Sequence, residues 1–529
     1  MDANFGFLAL LPPLVSIILC FATKQVLVSM FAGILTGSII LSHWNPFTGL
    51  TYSLGTLVKN LGDPGNANLV IFTMCMGIGI AFIWRLGGSF ALANAAKRKF
   101  KSRRSICLGT WGLGMCTSIN DCLVAAVDGN VFRDICKEYR ISSEKFSYVL
   151  DSTAAPAAAL FISDWIAYQI GMIGQGLSSA GIEGVEPMSA YIRSIPFNMY
   201  SILTLLFVGF LMFTGMDYGP MLKAEVRCIE KNQFTSPTAS PMMDVGNELG
   251  EAKMTKPMIS SFVLPIASAF GTIIFGIIWT GREYLNQGLL AVLENCDASS
   301  ALLWGSFVLA AVGIATALIS KILTFKETCE TMIDGLKLMT LTATILVMAW
   351  SLGDITKQLG LAKFVVNLIG DSIPFGVLPP LIMVLSILIA FATGTSWGTM
   401  AIMTPLAIEM AYTLTGDINL TIGMSGAVLS GAILGDHASP VSDTTVMASI
   451  FSGADHIDHV STQIPYTLTV GGVIIVLYFI YGFTGISPLI LLPVGFIALC
   501  AIATFMHKLC IKKYGIDPKY AESMTKAVK

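Results

Sequence analysis

Gly431-Ala432-Ile433-Leu434-Gly435-Asp436-His437-Ala438-Ser439-Pro440-Val441-Ser442-Asp443-Thr444 sets two carboxylates, a histidine and a proline inside a stretch that is otherwise small or apolar. An earlier stretch, Asp151-Ser152-Thr153-Ala154-Ala155-Pro156, ending in Ser163-Asp164, repeats the pattern. A proline inside a helical run removes a backbone donor and breaks the run, so each stretch predicts a helix interrupted beside an acid. Upstream of each lies another polar break, Thr117-Ser118-Ile119-Asn120-Asp121 in the first half and Thr393-Gly394-Thr395-Ser396-Trp397-Gly398-Thr399 in the second. Thr117-Ser118 matches Thr395-Ser396 at an offset of 278, and Asp151 matches Asp436 at 285. Similar offsets point to one duplicated unit with a small insertion.

The surroundings of these breaks are membrane-like. Charged residues make up 12% of the 529 residues and the hydrophobic set 54%, with a mean hydropathy of +0.74. A globular chain in water carries about a quarter charged residues, so this one could not cover its surface. Apolar runs such as 5–23, 26–42, 69–84, 263–279 and 301–320 approach the roughly 20 residues needed to cross a bilayer. The first run lacks a basic leader and a second follows directly, so it is expected to stay as a helix. The 11 cysteines form no CxxC pair and sit mostly in apolar runs, which argues against disulfides. There is no phosphate-binding GxxxxGKS/T loop, hence no support for ATP-driven pumping, and no nucleophile–base or metal constellation that would make the chain an enzyme. No cofactor or nucleic acid is implied.

Basic residues orient the chain, since cytoplasmic loops keep Lys and Arg. The cluster from Lys97 to Arg104 and the stretch from Arg133 to Lys145 both belong inside. The piece between them then enters and returns as a re-entrant hairpin, about 105–131, which requires protein or a water-filled cavity around it. The predicted fold class is an all-α polytopic membrane protein. Two inverted repeats each hold five transmembrane helices plus a re-entrant hairpin, and one extra helix follows at the C-terminus. Residues 1–215 form the first repeat, with its broken helix about 146–176. Residues 216–257 are a cytoplasmic linker. Residues 258–485 form the second repeat, with a hairpin about 376–415 and a broken helix about 421–450, and 486–529 form the last helix and a cytoplasmic tail. Five crossings per repeat is odd, so the halves oppose each other, although Lys357 and Lys363 fall on the outer side against the charge rule.

An ionised carboxylate at membrane depth costs about 2.5–3.5 kcal/mol on insertion scales, and Asp121, Asp128, Asp151, Asp164, Asp436 and Asp443 would together cost about 15–20 kcal/mol if left bare. That exceeds the stability of most folded proteins. No Lys or Arg lies near them in sequence, so protons or metal cations must neutralise them. Desolvation favours the protonated carboxyl and a bound cation the ionised one, and that mutual exclusion is the basis of antiport. Asp151 and Asp436 are the leading ion-binding candidates, with a transported sodium ion in their region. Asp121, Asn120, Asp443, Thr153, Ser118, Thr395, Ser396, Ser439 and Ser442 are candidate oxygen ligands, as a hard cation prefers. The hydroxyls could instead bond back to helix carbonyls. Asp128 is expected to be structural or solvated near the end of its hairpin. Asp121 and Asp128, like Asp436 and Asp443, stand seven apart and would share a face in any helical stretch. His437, Asp164 and Glu409 are possible proton carriers. Asp455-His456-Ile457-Asp458-His459 has metal-ligand residue types, but its position after a membrane segment predicts a polar interface loop, with pH sensing a better role than metal binding.

The run Gly431–Thr445, with Gly394–Thr399, Asp455–His459, Thr462-Gln463-Ile464-Pro465-Tyr466 and, in the first half, Glu144-Lys145 before Asp151–Pro156, resembles the NhaC family of sodium/proton antiporters. The resemblance spans roughly residues 5–500. It implies the inverted repeats, a homodimer in the cell (inner) membrane, and an elevator motion carried by the hairpins and the Asp151 and Asp436 helices. It also departs from the family pattern: Asn120-Asp121 stands where two adjacent aspartates are common, Ala438 where cysteine is common, and Asp164 where the residue is usually uncharged. The family includes exchangers of small organic acids and amino acids. A sodium- or proton-coupled carrier of such a solute is therefore the alternative to Na⁺/H⁺ exchange.

Overall fold

The chain's polar residues stand where helices must start. Asn45, Asp63, Ser102, Ser142, Ser163, Asp297, Asp417, Ser442, Asp455 and Ser487 each accept a backbone N–H of the turn that follows, and Ser102 forms a reciprocal capping box with Ser105. Glycines at 215, 394, 416, 453, 485 and 515 end helices in the left-handed conformation. The computed structural model describes residues 5–23, 26–88, 91, 100, 102–118, 121–160, 163–237, 239, 259–287, 292, 296–360, 364, 374–440 and 442–516.

In the first half the helices are α1 Leu11–Thr23, α2 Val26–Leu41, α3 Pro46–Leu61, α4 Pro64–Arg85, α5 Arg103–Thr117, α6 Asp121–Glu138, α7 Ser143–Thr153, the single turn α8 Ala155–Ala158, α9 Asp164–Ser179, α10 Pro187–Ser194, α11 Met199–Thr214 and α12 Gly219–Lys231. The second half contributes α13 Ser260–Thr280, α14 Ala298–Ile319, α15 Phe325–Gln358, α16 Leu378–Thr393, α17 Ser396–Thr415, α18 Ile418–Ala438, α19 Asp443–Ser452, α20 His456–Thr484 and α21 Pro488–Tyr514. There is no strand among the described residues. Seven helical stretches among them are long and apolar enough to cross a membrane. The protein is an all-helical, multi-pass membrane protein.

Both polar breaks predicted in each half are present: α5 stops at Thr117 and α6 starts at Asp121, and α16 stops at Thr393 before α17 starts at Ser396. Asp436 and Asp443 do not share a helix face. Ser439 is extended between α18 and α19, so the seven-residue spacing holds only for Asp121 and Asp128, both on α6. Three helices had no counterpart in the sequence reading, α3, α10 and α12. Each is amphipathic, and α12 occupies the start of the expected linker.

The centre of the molecule is α18, whose residues from Leu420 to Ala438 are all buried. It can sit there because Gly431 and Gly435 let α16 approach closely. A Cβ at either position would run into the carbonyl oxygens of Met383 and Ile387. Gly431→Ala is expected to destabilise the protein by about 1–3 kcal/mol through overpacking, read as a lowered unfolding midpoint in detergent. An unchanged midpoint would mean that α16 can move aside.

At one end of α7 the basic residues assigned to the inside are buried in ion pairs. Lys145 Nζ lies 2.7 Å from Asp217 Oδ2 and 3.6 Å from Glu225 Oε2, and Arg103 pairs with the same Glu225. Arg227 donates twice to Glu144, at 2.9 Å each. Asp217 also accepts the Tyr466 hydroxyl at 3.0 Å. The network fixes the foot of α7, two turns before Asp151, to α5, α12 and α20.

Candidate functional site

Asp151 and Asp436 occupy equivalent places at two helix breaks. Each lies three residues before the residue that leaves the helix, and each carbonyl accepts that residue's N–H, from Ala154 at 3.1 Å and from Ser439 at 2.9 Å. Pro156 and Pro440 follow and prevent the helices from continuing directly. The breaks interlock. Thr445 of α19 donates to Asp151 Oδ2 at 2.9 Å, and Ser152 lies 3.1 Å from His437 Nε2. Both aspartates are at most 2% exposed. Among the described residues neither has a Lys or Arg within 4.0 Å.

The two carboxylates are dressed differently. Asp151 Oδ2 accepts from Thr445 and from Gln463 Nε2 at 2.7 Å, and faces the imidazoles of His437 at 4.0 Å and His459 at 3.9 Å. Asp436 Oδ2 accepts the Ser396 N–H at 3.1 Å and the Ser396 hydroxyl at 2.7 Å. Thr395, half-buried at the start of α17, offers no side-chain cap, so the Asp436 carboxylate caps that helix from a distance in sequence. Capping alone would be a structural role. It leaves Asp436 Oδ1, however, buried and without a hydrogen-bond partner among the described residues. Asp128 Oδ2 is in the same condition, with Asp128 fully buried and its other oxygen 3.4 Å from Thr117 Oγ1. This overturns the solvated reading of Asp128. A bare carboxylate oxygen away from water is costly unless a proton or a cation accompanies it.

The other candidates divide. Asp121 opens α6 and accepts from Trp165 Nε1 at 3.3 Å, and Trp165 packs on Trp397, whose carbonyl accepts the Tyr168 hydroxyl at 2.6 Å. Ser396 is a direct partner of Asp436. Ser439 donates to the Phe391 carbonyl at 2.7 Å and ties the second break to the end of α16. Ser442 caps α19 and lies 2.9 Å from Thr444 Oγ1. Thr153 and Ser118 bond back to their own helices, at Val149 and Met115, so their hydroxyls hold local structure. Glu409 is buried beside Pro13 and Thr356, about 20 Å along α17 from Ser396. His437 is buried between Ser152 and Tyr200, whose hydroxyl lies 2.8 Å from Nδ1. Asn120 lies outside the described residues, as do the side chains of Asp443 and Asp164; their helices begin at Asp443 and Asp164.

Sequence reasoning missed Gln463, Thr445 and His459, which reach Asp151 from positions 312, 294 and 308 residues away in the chain. The Asp455–His459 stretch is no interface loop: Asp455 caps α20, and His456 and His459 are buried. Among the described residues no group of three or more potential ligands could hold a metal ion. The spacing His456/His459 on a helix start signalled one shared face, but not what it would face. Replacing Ser396 with alanine removes one charge-assisted hydrogen bond, worth about 1.5–3 kcal/mol. If Asp436 takes the ion, the sodium needed for half-maximal transport should rise about tenfold, and an unchanged requirement would move the ion elsewhere.

Comparison with known proteins adds a family. Residues 158–483 match the model of the Na⁺/H⁺ antiporter family. An uncharacterized protein of Haemophilus influenzae is 31% identical over 494 residues, covering 92% of both chains. Shorter matches include the arginine/ornithine antiporter ArcD of Halobacterium salinarum, 39% identical over 103 residues (20% of this chain, 21% of that protein), and the malate-2H⁺/Na⁺-lactate antiporter of Bacillus subtilis, 33% over 132 residues (22% and 28%). Among solved structures, Neisseria gonorrhoeae MtrF aligns at a TM-score of 0.52 and 16% identity, covering 82% of this chain and 85% of that one. The YdaH transporter of Alcanivorax borkumensis aligns at 0.53 and 16%, covering 83% and 90%. These two likenesses concern the fold.

Proposed function

The chain belongs to the Na⁺/H⁺ antiporter family, and from that premise we propose that it exchanges Na⁺ for H⁺ at Asp436, with Asp151 as the proton-handling partner across the interlocked breaks. The observation that carries this reading is Asp436 Oδ1, buried and without a hydrogen-bond partner among the described residues. A sodium ion or a proton meets that need, and one excludes the other. Asp151 is already met by Thr445 and Gln463, so the ion's place is Asp436, with Asp121 and the oxygens of the second hairpin tip nearby. The two breaks would come from oppositely oriented repeats, the hairpins being re-entrant. That reading is supported by the matched positions of Asp151 and Asp436 before their breaks. The hairpins and broken helices would move together as an elevator against the remaining helices, in a homodimer of the cell's inner membrane. Residues 1–215 and 258–485 would be the repeats, 216–257 the cytoplasmic link carrying α12, and 486–529 the last helix and tail.

Transport in sealed vesicles tests this. A sodium pulse outside vesicles loaded with a pH dye should drive protons the opposite way with no organic solute present. Proton movement that requires malate, lactate or an amino acid would favour the carrier reading. That second reading has its own observation. Both polar atoms of Gln169 and the indole N–H of Trp350 are buried without partners among the described residues, and bare N–H donors call for an acceptor that a cation does not supply. Trp350 lines a cavity of about 710 Å³ with Asn60, Gln175 and Asp354.

A further inference from the structure

Hydrogen counting around Ser449 reveals one proton more than neutral side chains can provide. Gln463 Nε2 faces two acceptors, Asp151 Oδ2 at 2.7 Å and the His437 carbonyl at 2.5 Å. Its amide orientation is therefore fixed, with Oε1 towards His459 Nε2 at 2.9 Å. His459 Nε2 must carry a hydrogen. At the other end, His456 Nε2 lies 2.7 Å from the Pro440 carbonyl, so it too must carry one. If both rings are neutral, both Nδ1 atoms are then acceptors. Both point at the same hydroxyl: Ser449 Oγ is 2.8 Å from His459 Nδ1 and 3.0 Å from His456 Nδ1. A serine has one hydrogen to give. It can satisfy one ring, leaving the other lone pair against its own oxygen. The third neighbour, the Thr445 carbonyl at 2.8 Å, is another acceptor, already served by the helix.

We propose that His456 is a proton-binding site, holding an imidazolium in this conformation as the outermost member of a chain that runs through Ser449 and His459 to Gln463 and Asp151. With one added proton every atom is satisfied in file. His456 Nδ1–H donates to Ser449 Oγ, Ser449 Oγ–H to His459 Nδ1, and His459 Nε2–H to Gln463 Oε1. The charge falls on the ring nearest the surface, beside the exposed Pro440, while the deeper His459 stays neutral. Charged groups around the chain are Asp455 and Asp458 on its own helix, Glu144 with Arg227 beyond Asp458, Arg133 against Gly453 from α6, and Asp151 at the inner end. No charged side chain of α19 is described. The inference rests on the antiport reading only for its purpose, a last holding place for the proton between Asp151 and water.

Nitrogen NMR on the full chain labelled with ¹⁵N-histidine in bilayers tests it, since the chain has five histidines and His456→Gln identifies the signal. At pH 7.5 an unperturbed imidazole is about one-tenth charged. The expected spectrum has both His456 nitrogens protonated and His459 as the neutral Nε2–H form. In Ser449→Ala, His456 should be neutral at that pH, while Ser449→Thr, which keeps the hydroxyl, should retain the charge. A neutral His456 in the unaltered protein, or a charged one in Ser449→Ala, overturns the proposal. In vesicles, His456→Gln should slow sodium-driven proton movement about tenfold and leave sodium-for-sodium exchange unchanged; equal slowing of both would assign His456 a structural role instead. An imidazolium in a protein that moves no protons with sodium would leave the site standing and remove the antiport reading.

Discussion

Asparagine in place of Asp436 is expected to abolish sodium-driven proton movement while the protein still inserts and folds. The amide oxygen of asparagine can accept from Ser396, so the cap on α17, made by the Ser396 N–H at 3.1 Å and its hydroxyl at 2.7 Å, survives in outline. What disappears is the charge. A unit charge about 4 Å from the ion contributes about 4 kcal/mol at an effective dielectric of 20. Each 1.4 kcal/mol is about tenfold in affinity, so the loss exceeds about a hundredfold. Asp436→Ala should lose transport equally and stability besides, because Ser396 is then left without its acceptor. Vesicle flux and the unfolding midpoint, measured on both variants, separate the two effects. Near-normal exchange by Asp436→Asn would remove Asp436 from the ion's path.

The second large effect concerns stability. Lys145→Met should destabilise the protein by about 3–5 kcal/mol, the usual consequence of removing one partner of a buried ion pair. Lys145 is 3% exposed and stands between Asp217 and Glu225, both fully buried. Arg103 still faces Glu225, but Asp217 would keep only the Tyr466 hydroxyl among its described side-chain partners. Pairing the change with Asp217→Asn should recover part of the loss, since the uncompensated charge goes with it. Thermal unfolding of the purified variants measures this. A shift of under about 1 kcal/mol in the single variant would mean that water reaches Asp217.

The membrane class, the helix breaks and the two central aspartates were legible because each has a local signature. Apolar runs, a proline after an acid, and glycine–threonine–serine interruptions are readable within a dozen residues. The partners of those aspartates were not legible. Thr445, Gln463 and His459 meet Asp151 only because α19 and α20 fold back on α7, and nothing in the sequence near them marks that contact. The polar Asp455–His459 stretch was misplaced for a related reason. Its composition fits an interface, but the buried His456 and His459 find partners that folding brings to them, Ser449 on α19 and the Pro440 carbonyl. Thr153 and Ser118 follow the other course open to a helical hydroxyl. Their type fits a cation ligand, yet a helical hydroxyl has its own carbonyl within reach and takes it. Helices α3, α10 and α12 escaped notice because their polar faces dilute the apolar signal by which spans were found.

The central claim is that a sodium ion and a proton compete for the same buried acid. Proton release on sodium binding measures that competition without transport. Purified protein in weakly buffered detergent solution should acidify the medium in proportion to the sodium bound, and Asp436→Asn should do neither. Sodium that binds with no protons released, or release that persists in the asparagine variant, would contradict it.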